Sequence, residues 1–284
     1  MVLVEAESFE VKGGWVLDQQ FIDQMGSPFL MAHGMGKPVA DASTSVTIPE
    51  KGIWHVYVRT WNWCAPWKTE EKPGRFHLSV NGKRLDNELG LGEKWDWEYA
   101  GTIEIKERRN RIALHDLTGF NGRCDAILFS KEKEVQIPNE GEQMYKFRKK
   151  LLGFTGQPIN GGTYDMVVVG AGTAGLGAAI KGAREGLKVA LIHNRPVPGG
   201  NNSVEVRVVA SGGLNLMPYP RLGDVIGEIK NVYRRPAHVD SVIAAEKNLS
   251  FFPNMHLFDL EKKENKITSV TARDIESNVE TIFY

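Results

Sequence analysis

The sequence is nearly free of cysteine: Cys64 and Cys124 are the two in 284 residues. Two thiols do not make a disulfide framework, and both read as free and buried. Net charge is missing too, because 35 Lys and Arg stand against 35 Asp and Glu. That balance, without a basic stripe, excludes the electrostatic footprint of a nucleic-acid binder. No apolar run is long enough to span a bilayer, so no membrane partner is expected. Met1 leads directly into Val2-Leu3-Val4-Glu5, with no basic n-region or apolar h-region. This start reads as cytoplasmic, or as periplasmic after removal of a leader. No cluster of His, Cys and carboxylate has metal-ligand spacing, so no metal is expected. Internal repeats and low-complexity tracts are absent as well.

What is present falls into two hydrophobic patterns. Over residues 1–135 apolar and polar residues alternate with period two, as in Trp54-His55-Val56-Tyr57-Val58-Arg59-Thr60. Phe76, Leu78 and Val80 repeat the pattern and run into Asn81-Gly82, a hairpin-turn dipeptide. Strand-like runs continue at Thr102–Ile105, Arg111–Leu114 and Ala126–Ser130, so this part reads as an all-β sandwich. Residues 136–163 read as a helix and linker. Asn139 is the N-cap, Glu140 and Glu142 suit the positive end, Lys146, Arg148, Lys149 and Lys150 suit the negative end, and Gly153 closes it. Over residues 164–284 the pattern becomes α/β. Met166–Val169 is a continuous apolar run, expected of a strand buried on both faces. A helix from Thr173 to about Glu185 closes at Gly186, and Val189–Ile192 is a second buried strand. His256–Leu260, Lys266–Arg273 and Glu280–Phe283 read as three strands joined by polar turns.

Between the first of those strands and its helix lies Gly170-Ala171-Gly172-Thr173-Ala174-Gly175. Gly-x-Gly-x-x-Gly is a weak signal alone. A strand before it, a helix opening on it and a second strand after it make it the dinucleotide-binding turn of a Rossmann-type unit. Gly170 permits the tight turn, Gly172 lets a pyrophosphate approach the backbone, and Gly175 lets the helix lie close to the strand. The helix N-terminus offers N–H groups and about half a positive charge to the phosphates.

The acid that usually ends the second strand and bonds the ribose hydroxyls is missing. His193 stands there, followed by Asn194 and Arg195. Two readings of His193 stand side by side: an acceptor for a ribose hydroxyl, a role open to Asn194 as well, or a solvated strand-end residue. Arg195 suits a 2′-phosphate and keeps an NADP reading open. Downstream, Gly199-Gly200-Asn201-Asn202-Ser203 supplies backbone N–H groups and amide donors suited to a pyrophosphate or a flavin edge. An ordinary tight turn is the alternative. Arg207 reads either as a stabiliser of negative charge on a reduced flavin or as a surface partner of Glu205.

Tyr164–Gly175, with Val189–Ile192 and Gly199-Gly200-Asn201, resembles bacterial FAD-dependent oxidoreductases among the glutathione-reductase-like flavoproteins. The resemblance covers residues 164–284. It implies non-covalent FAD at Gly170, Gly172, Gly175 and near His193, with flavin-side contacts around Asn201, Asn202 and Ser203. It also implies that the C-terminal strands are a β-meander packed on the nucleotide domain. His193 departs from the Glu that many members carry. The family's Thr-Gly-Asp-Gly-like segment and substrate domain do not follow, and Asn231–Val242 is short by comparison. The chain is therefore expected to be an N-terminal fragment of a member, or to lack internal segments, and its catalytic residues stay unassigned. Glu5-Ala6-Glu7-Ser8-Phe9 with Gly13-Gly14-Trp15, and Asp116–Phe120 with Arg123–Ile127, resembles the galactose-binding-like sandwich that precedes the flavin domain in some members. Sugar binding does not follow from that resemblance.

All seven tryptophans lie within the first 97 residues, and Trp61-Asn62-Trp63-Cys64-Ala65-Pro66-Trp67 gathers three. Core or interface packing is the favoured reading, since each Trp buries about 150–250 Å². Stacking on a sugar ring is the other. Asp116 and Asp125 read as turn residues. The expected function is an FAD-dependent oxidoreductase that passes a hydride through its flavin to or from a small-molecule substrate, a sugar included. The alternatives are an NAD(P)-linked dehydrogenase and a carbohydrate-binding module with a vestigial nucleotide domain. The oligomeric state is not legible.

Overall fold

Alternating apolar side chains build the first of two units, Met1–Thr155, from antiparallel strands, whereas the second, Gly156–Tyr284, mixes parallel strands with helices. The computed structural model describes residues 1–64, 67, 70, 72–154, 156–212, 217 and 222–284. The first unit has strands β1 (Val2–Glu5), β2 (Trp15–Asp18), β3 (Phe29–His33), β4 (Ala42–Thr47), β5 (Gly52–Thr60), β6 (Phe76–Val80), β7 (Lys83–Arg84), β8 (Asp96–Ile105), β9 (Arg109–Asp116) and β10 (Phe120–Ser130). Its helices are α1 (Ile22–Met25) and α2 (Gly141–Leu151). One sheet runs β2-β3-β10-β5-β8, with β1 also paired to β10, and the other runs β4-β9-β6-β7. Their inner faces meet around Trp15, Trp54, Phe76, Leu78, Ile112 and Phe129, which makes the unit a β-sandwich. Asn81 and Gly82 join β6 to β7 with φ of 51° and 78°, the conformation a two-residue hairpin turn requires.

Helix α2, assigned to a linker on sequence grounds, packs on the sandwich. Leu3 of β1 and Ala126 and Leu128 of β10 meet Phe147, Leu151 and Leu152. From Gly122 to Ser130, β10 is consequently buried on both faces. Arg148 reaches from α2 into a buried polar cluster, where it donates to Asp125 and Ser27 and brings its Nε to 3.6 Å from Glu5. Arg59 donates to the same Asp125 at 2.9 Å, and to the side chain and carbonyl of Asn139 at 2.9 and 2.7 Å. Burial opposes the charge on Arg148, but the Asp125 and Glu5 carboxylates outweigh it and hold the guanidinium protonated.

Two expectations are corrected here. Asp125 is a fully buried ion-pair partner and not a turn residue, because a carboxylate this deep needs a counter-charge. Asn139 does not cap α2: Glu140 holds the N-cap position without a side-chain bond, and the Asn139 amide donates instead to the Trp95 carbonyl at 2.8 Å. Asp116 is a turn residue, accepting from the N–H groups of Thr118 and Gly119 at 3.1 and 3.0 Å.

The second unit contains β11 (Ile159–Asn160), β12 (Met166–Val169), α3 (Thr173–Arg184), β13 (Val189–Ile192), α4 (Leu222–Ile229), α5 (Pro236–Ala245), β14 (Leu249–Phe252), β15 (Met255–Lys263), β16 (Lys266–Asp274) and β17 (Glu280–Phe283). The order β12-β13-β14 forms a parallel sheet, in register at Met166, Val189 and Leu249. Leu176, Ile180, Val225, Ile229, Val239 and Ile243 of the helices cover one face. A second sheet, β11-β17-β16-β15, covers the other through Val270, Ala272 and Phe283, and its last three strands form the expected meander. β13, central in the parallel sheet, is buried throughout. β12 departs from the expected double burial: it is the edge strand of three, and Val169 is 52% exposed. Among the described residues no helix is long and apolar enough to cross a membrane.

Candidate dinucleotide site

The chain leaves β12 through Gly170, whose φ of 98° is open to glycine and strained for other residues. The Gly170 N–H still bonds the Ile192 carbonyl at 2.7 Å, so the turn departs from the sheet only at the buried Ala171. Gly172 is the N-cap of α3 and contributes no side chain, and the Leu176 N–H makes a helical bond to its carbonyl at 2.9 Å. The first turn of α3 holds no acidic residue, and Lys181 and Arg184 stand in its last turn. Both features leave the N-terminal end of the helix positive. Thr173 is half-buried and Ala174 exposed at this end.

The glycines divide by what a Cβ would meet. At Gly175 it would lie 1.8 Å from the Gly170 carbonyl oxygen, so this glycine serves the approach of helix to turn. At Gly172 it would meet nothing within 4 Å. The space over Gly172 is open, so a phosphate group can approach the backbone there, whereas a side chain would occupy that space.

The Gly199-Gly200 loop closes against this turn. The Gly199 N–H donates to the Ala171 carbonyl at 2.7 Å, and Gly172 and Gly199 form a parallel bridge. A Cβ on Gly200 would stand 3.2 Å from the Gly172 Cα. The structure therefore joins two segments that the sequence shows apart.

Other candidates take different roles. His193 is 6% exposed; its Nδ1 accepts the Ala171 N–H at 3.2 Å, and its Nε2–H donates to the Val197 carbonyl at 3.1 Å. Burial, reinforced by Arg195, lowers its pKa against the opposing pull of the Val197 bond. With both nitrogens engaged, His193 is neither a ribose acceptor nor a solvated strand end. Asn202 is buried, donating to the Val208 carbonyl and accepting from the Val232 N–H, both at 2.7 Å. Ser203 is fully buried, and its Oγ accepts the Glu205 N–H at 3.2 Å. The expected flavin-side contacts of Asn202 and Ser203 thus give way to loop-bracing bonds. Asn201 is exposed, Asn194 half-buried. Arg195 Nε lies 4.0 Å from Glu205, so Glu205 faces Arg195, while Arg207 donates to the Val204 carbonyl at 3.1 Å.

The tryptophans separate as well. Trp15 and Trp54 are core residues, and Trp67 is 66% exposed against Trp63. Trp61 donates to the Glu93 carbonyl and, with Phe21, Trp95 and Arg59, lines a cleft of about 310 Å³ that sequence reasoning did not delimit. Ala65 and Pro66 of the aromatic stretch lie outside the described residues. Cys64 and Cys124 are free and buried.

Residues 165–282 match the family model described as FAD dependent oxidoreductase. The NADH:fumarate oxidoreductase of Klebsiella pneumoniae is 45% identical over 160 residues, 51% of this chain and 16% of that protein. The thioredoxin reductase of Ureaplasma parvum is 39% identical over 64 residues, 22% of this chain and 20% of that protein. A soluble pyridine nucleotide transhydrogenase of Ectopseudomonas mendocina is 58% identical over 38 residues, 13% of this chain and 8% of that protein. The chain thus spans between 8% and 20% of the length of these relatives. Among solved structures, a family 35 carbohydrate binding module from an environmental isolate covers 49% of this chain and 100% of its own, with a TM-score of 0.34 and 19% identity. The thioredoxin reductase of T. acidophilum covers 43% of this chain and 33% of its own, with a TM-score of 0.28 and 20% identity. Over residues 165–282 the second unit is thus similar to the FAD dependent oxidoreductase family, and FAD is the cofactor that this similarity implies.

Proposed function

We propose that this chain supplies the dinucleotide-binding turn of an FAD-dependent oxidoreductase that passes a hydride between its flavin and a small-molecule substrate. The observation that carries the reading is the junction of Gly172 with Gly199-Gly200, a backbone surface left open at the positive end of α3. FAD, when bound, supplies the hydride chemistry. The chain's own part is to bind and orient. Gly172 admits the pyrophosphate to the backbone, and the uncapped start of α3 meets its negative charge. The relatives, an NADH:fumarate oxidoreductase and a thioredoxin reductase among them, support redox chemistry.

Titration of the chain with FAD, followed by flavin fluorescence, tests the reading. Saturable binding that Gly172→Ala weakens at least about tenfold is the expected result. Binding of NADPH or NADH, with none of FAD, overturns it.

A further inference from the structure

We propose that His193 is a positioning residue for the cofactor: its neutral, Nε2-protonated imidazole holds the Gly170–Gly175 turn in the shape that receives the pyrophosphate. The proposal rests on the reading of that turn as an FAD site. It assigns to the residue at the ribose position a role in shaping the phosphate-binding turn.

The geometry is a three-point brace. His193 is fixed in the sheet end by its own backbone, whose N–H bonds the Phe252 carbonyl at 2.9 Å and whose carbonyl accepts the Met255 N–H at 2.8 Å. From this rigid base, Nδ1 takes the Ala171 N–H and Nε2–H reaches the Val197 carbonyl. Ala171 is then held on both sides, its N–H by His193 and its carbonyl by Gly199. Val197 stands two residues before Gly199, so one ring steadies the turn and the loop that closes on it. A side chain locked on a rigid element is what a binding site needs to keep its shape.

The tautomer is dictated by the partners. A peptide N–H can only donate and a carbonyl can only accept, so Nδ1 must lack a proton and Nε2 must carry one. A second proton on Nδ1 would face the Ala171 N–H, removing its acceptor and setting two donors against each other. Ala171 and Val197, which bond the ring, and Phe252 and Met255, which bond the His193 backbone, bring no titratable side chain. Arg195 is the charged group acting on it, with Glu205 behind Arg195 at 4.0 Å. Acid therefore loosens the turn at this ring.

The experiment measures the FAD dissociation constant by flavin fluorescence from about pH 8 to about pH 5 for the wild-type chain, His193→Asn and His193→Phe. As the ring protonates, at a pH that burial moves below the ordinary imidazole range, the wild type should bind about five- to tenfold more weakly, the scale of one lost hydrogen bond. In His193→Asn, Oδ1 stands where Nδ1 stood and does not titrate, so binding is restored and stays level with pH. His193→Phe should bind weakly throughout. Wild-type affinity in His193→Phe, or a wild-type acid fall in His193→Asn, overturns the proposal. Imidazole ¹⁵N shifts of the ligand-free wild type give a second readout, and an Nδ1-protonated ring at neutral pH overturns it independently. Absence of FAD binding by the wild type at every pH, with the Nε2–H tautomer present, overturns the cofactor reading instead.

Discussion

The N–H of Gly199 donates to the carbonyl of Ala171 across 2.7 Å, so two glycine segments form one continuous backbone surface. The glycines on that surface are not equivalent, and substitution separates them. Gly172 has an ordinary φ of −68° and open space at its Cβ position, whereas Gly175 meets the Gly170 carbonyl. Gly172→Ala should unfold in urea within about 0.5 kcal/mol of wild type yet bind FAD at least about tenfold more weakly. Gly175→Ala should lose about 1–3 kcal/mol of stability through overpacking. Urea unfolding and FAD titration of the two variants, side by side, check both statements.

Asn202 provides a second separation. Its amide bridges the Val208 carbonyl and the Val232 N–H inside the protein. Asn202→Asp keeps an acceptor for Val232 but sets a carboxylate against the Val208 carbonyl. A loss of about 1–3 kcal/mol is expected in urea unfolding. Unchanged stability would mean that the amide does not brace the loop.

Arg148 joins α2 to the sandwich through Asp125, Ser27 and Glu5. Arg148→Met keeps much of the stem's bulk and removes the charge, leaving Asp125 with Arg59 as its guanidinium partner. Breaking a buried pair from one side costs about 3–5 kcal/mol. Chemical denaturation of the variant should show a loss of that size.

Glu7 makes stability depend on pH. Burial, with Glu5 and Asp125 adding to it against the opposing pull of Arg148, holds its carboxyl protonated well above the usual carboxylate range. The unfolded chain releases that proton above about pH 4.3, while the folded chain keeps it. The unfolded state then binds fewer protons, so this group lowers stability as pH rises from that point toward its folded pKa. Glu7→Gln imitates the protonated form. Its stability relative to wild type should increase as pH rises above about 4, measured by urea unfolding at several pH values.

The parts legible in the sequence are those whose physics is local. Gly-x-Gly-x-x-Gly can be read because phosphate approach and helix packing act on neighbouring residues, and Asn81-Gly82 because a tight turn needs both φ angles positive. The roles of His193 and Asn202 depend on partners that spacing does not reveal. Asn202 reaches across 30 residues to Val232, and the ring of His193 across 22 to Ala171. Arg148 is separated from Ser27 by 121 residues and sits in a run of cations that suits a helix end equally well without it. The edge position of β12 is illegible for a related reason. A continuous apolar run records hydrophobicity, while exposure depends on whether a neighbouring strand arrives.

The burial of β10 on both faces bears on where this protein can be divided. A sandwich cut after residue 135 would keep its inner core but lose α2, and with it the cover over Leu3, Ala126 and Leu128. The truncated piece would present an apolar strip on a flat sheet, beside carboxylates deprived of Arg148. Such a surface favours self-association in place of an isolated monomer. A sandwich that ends beyond Leu152 retains its own lid and is the piece to express alone.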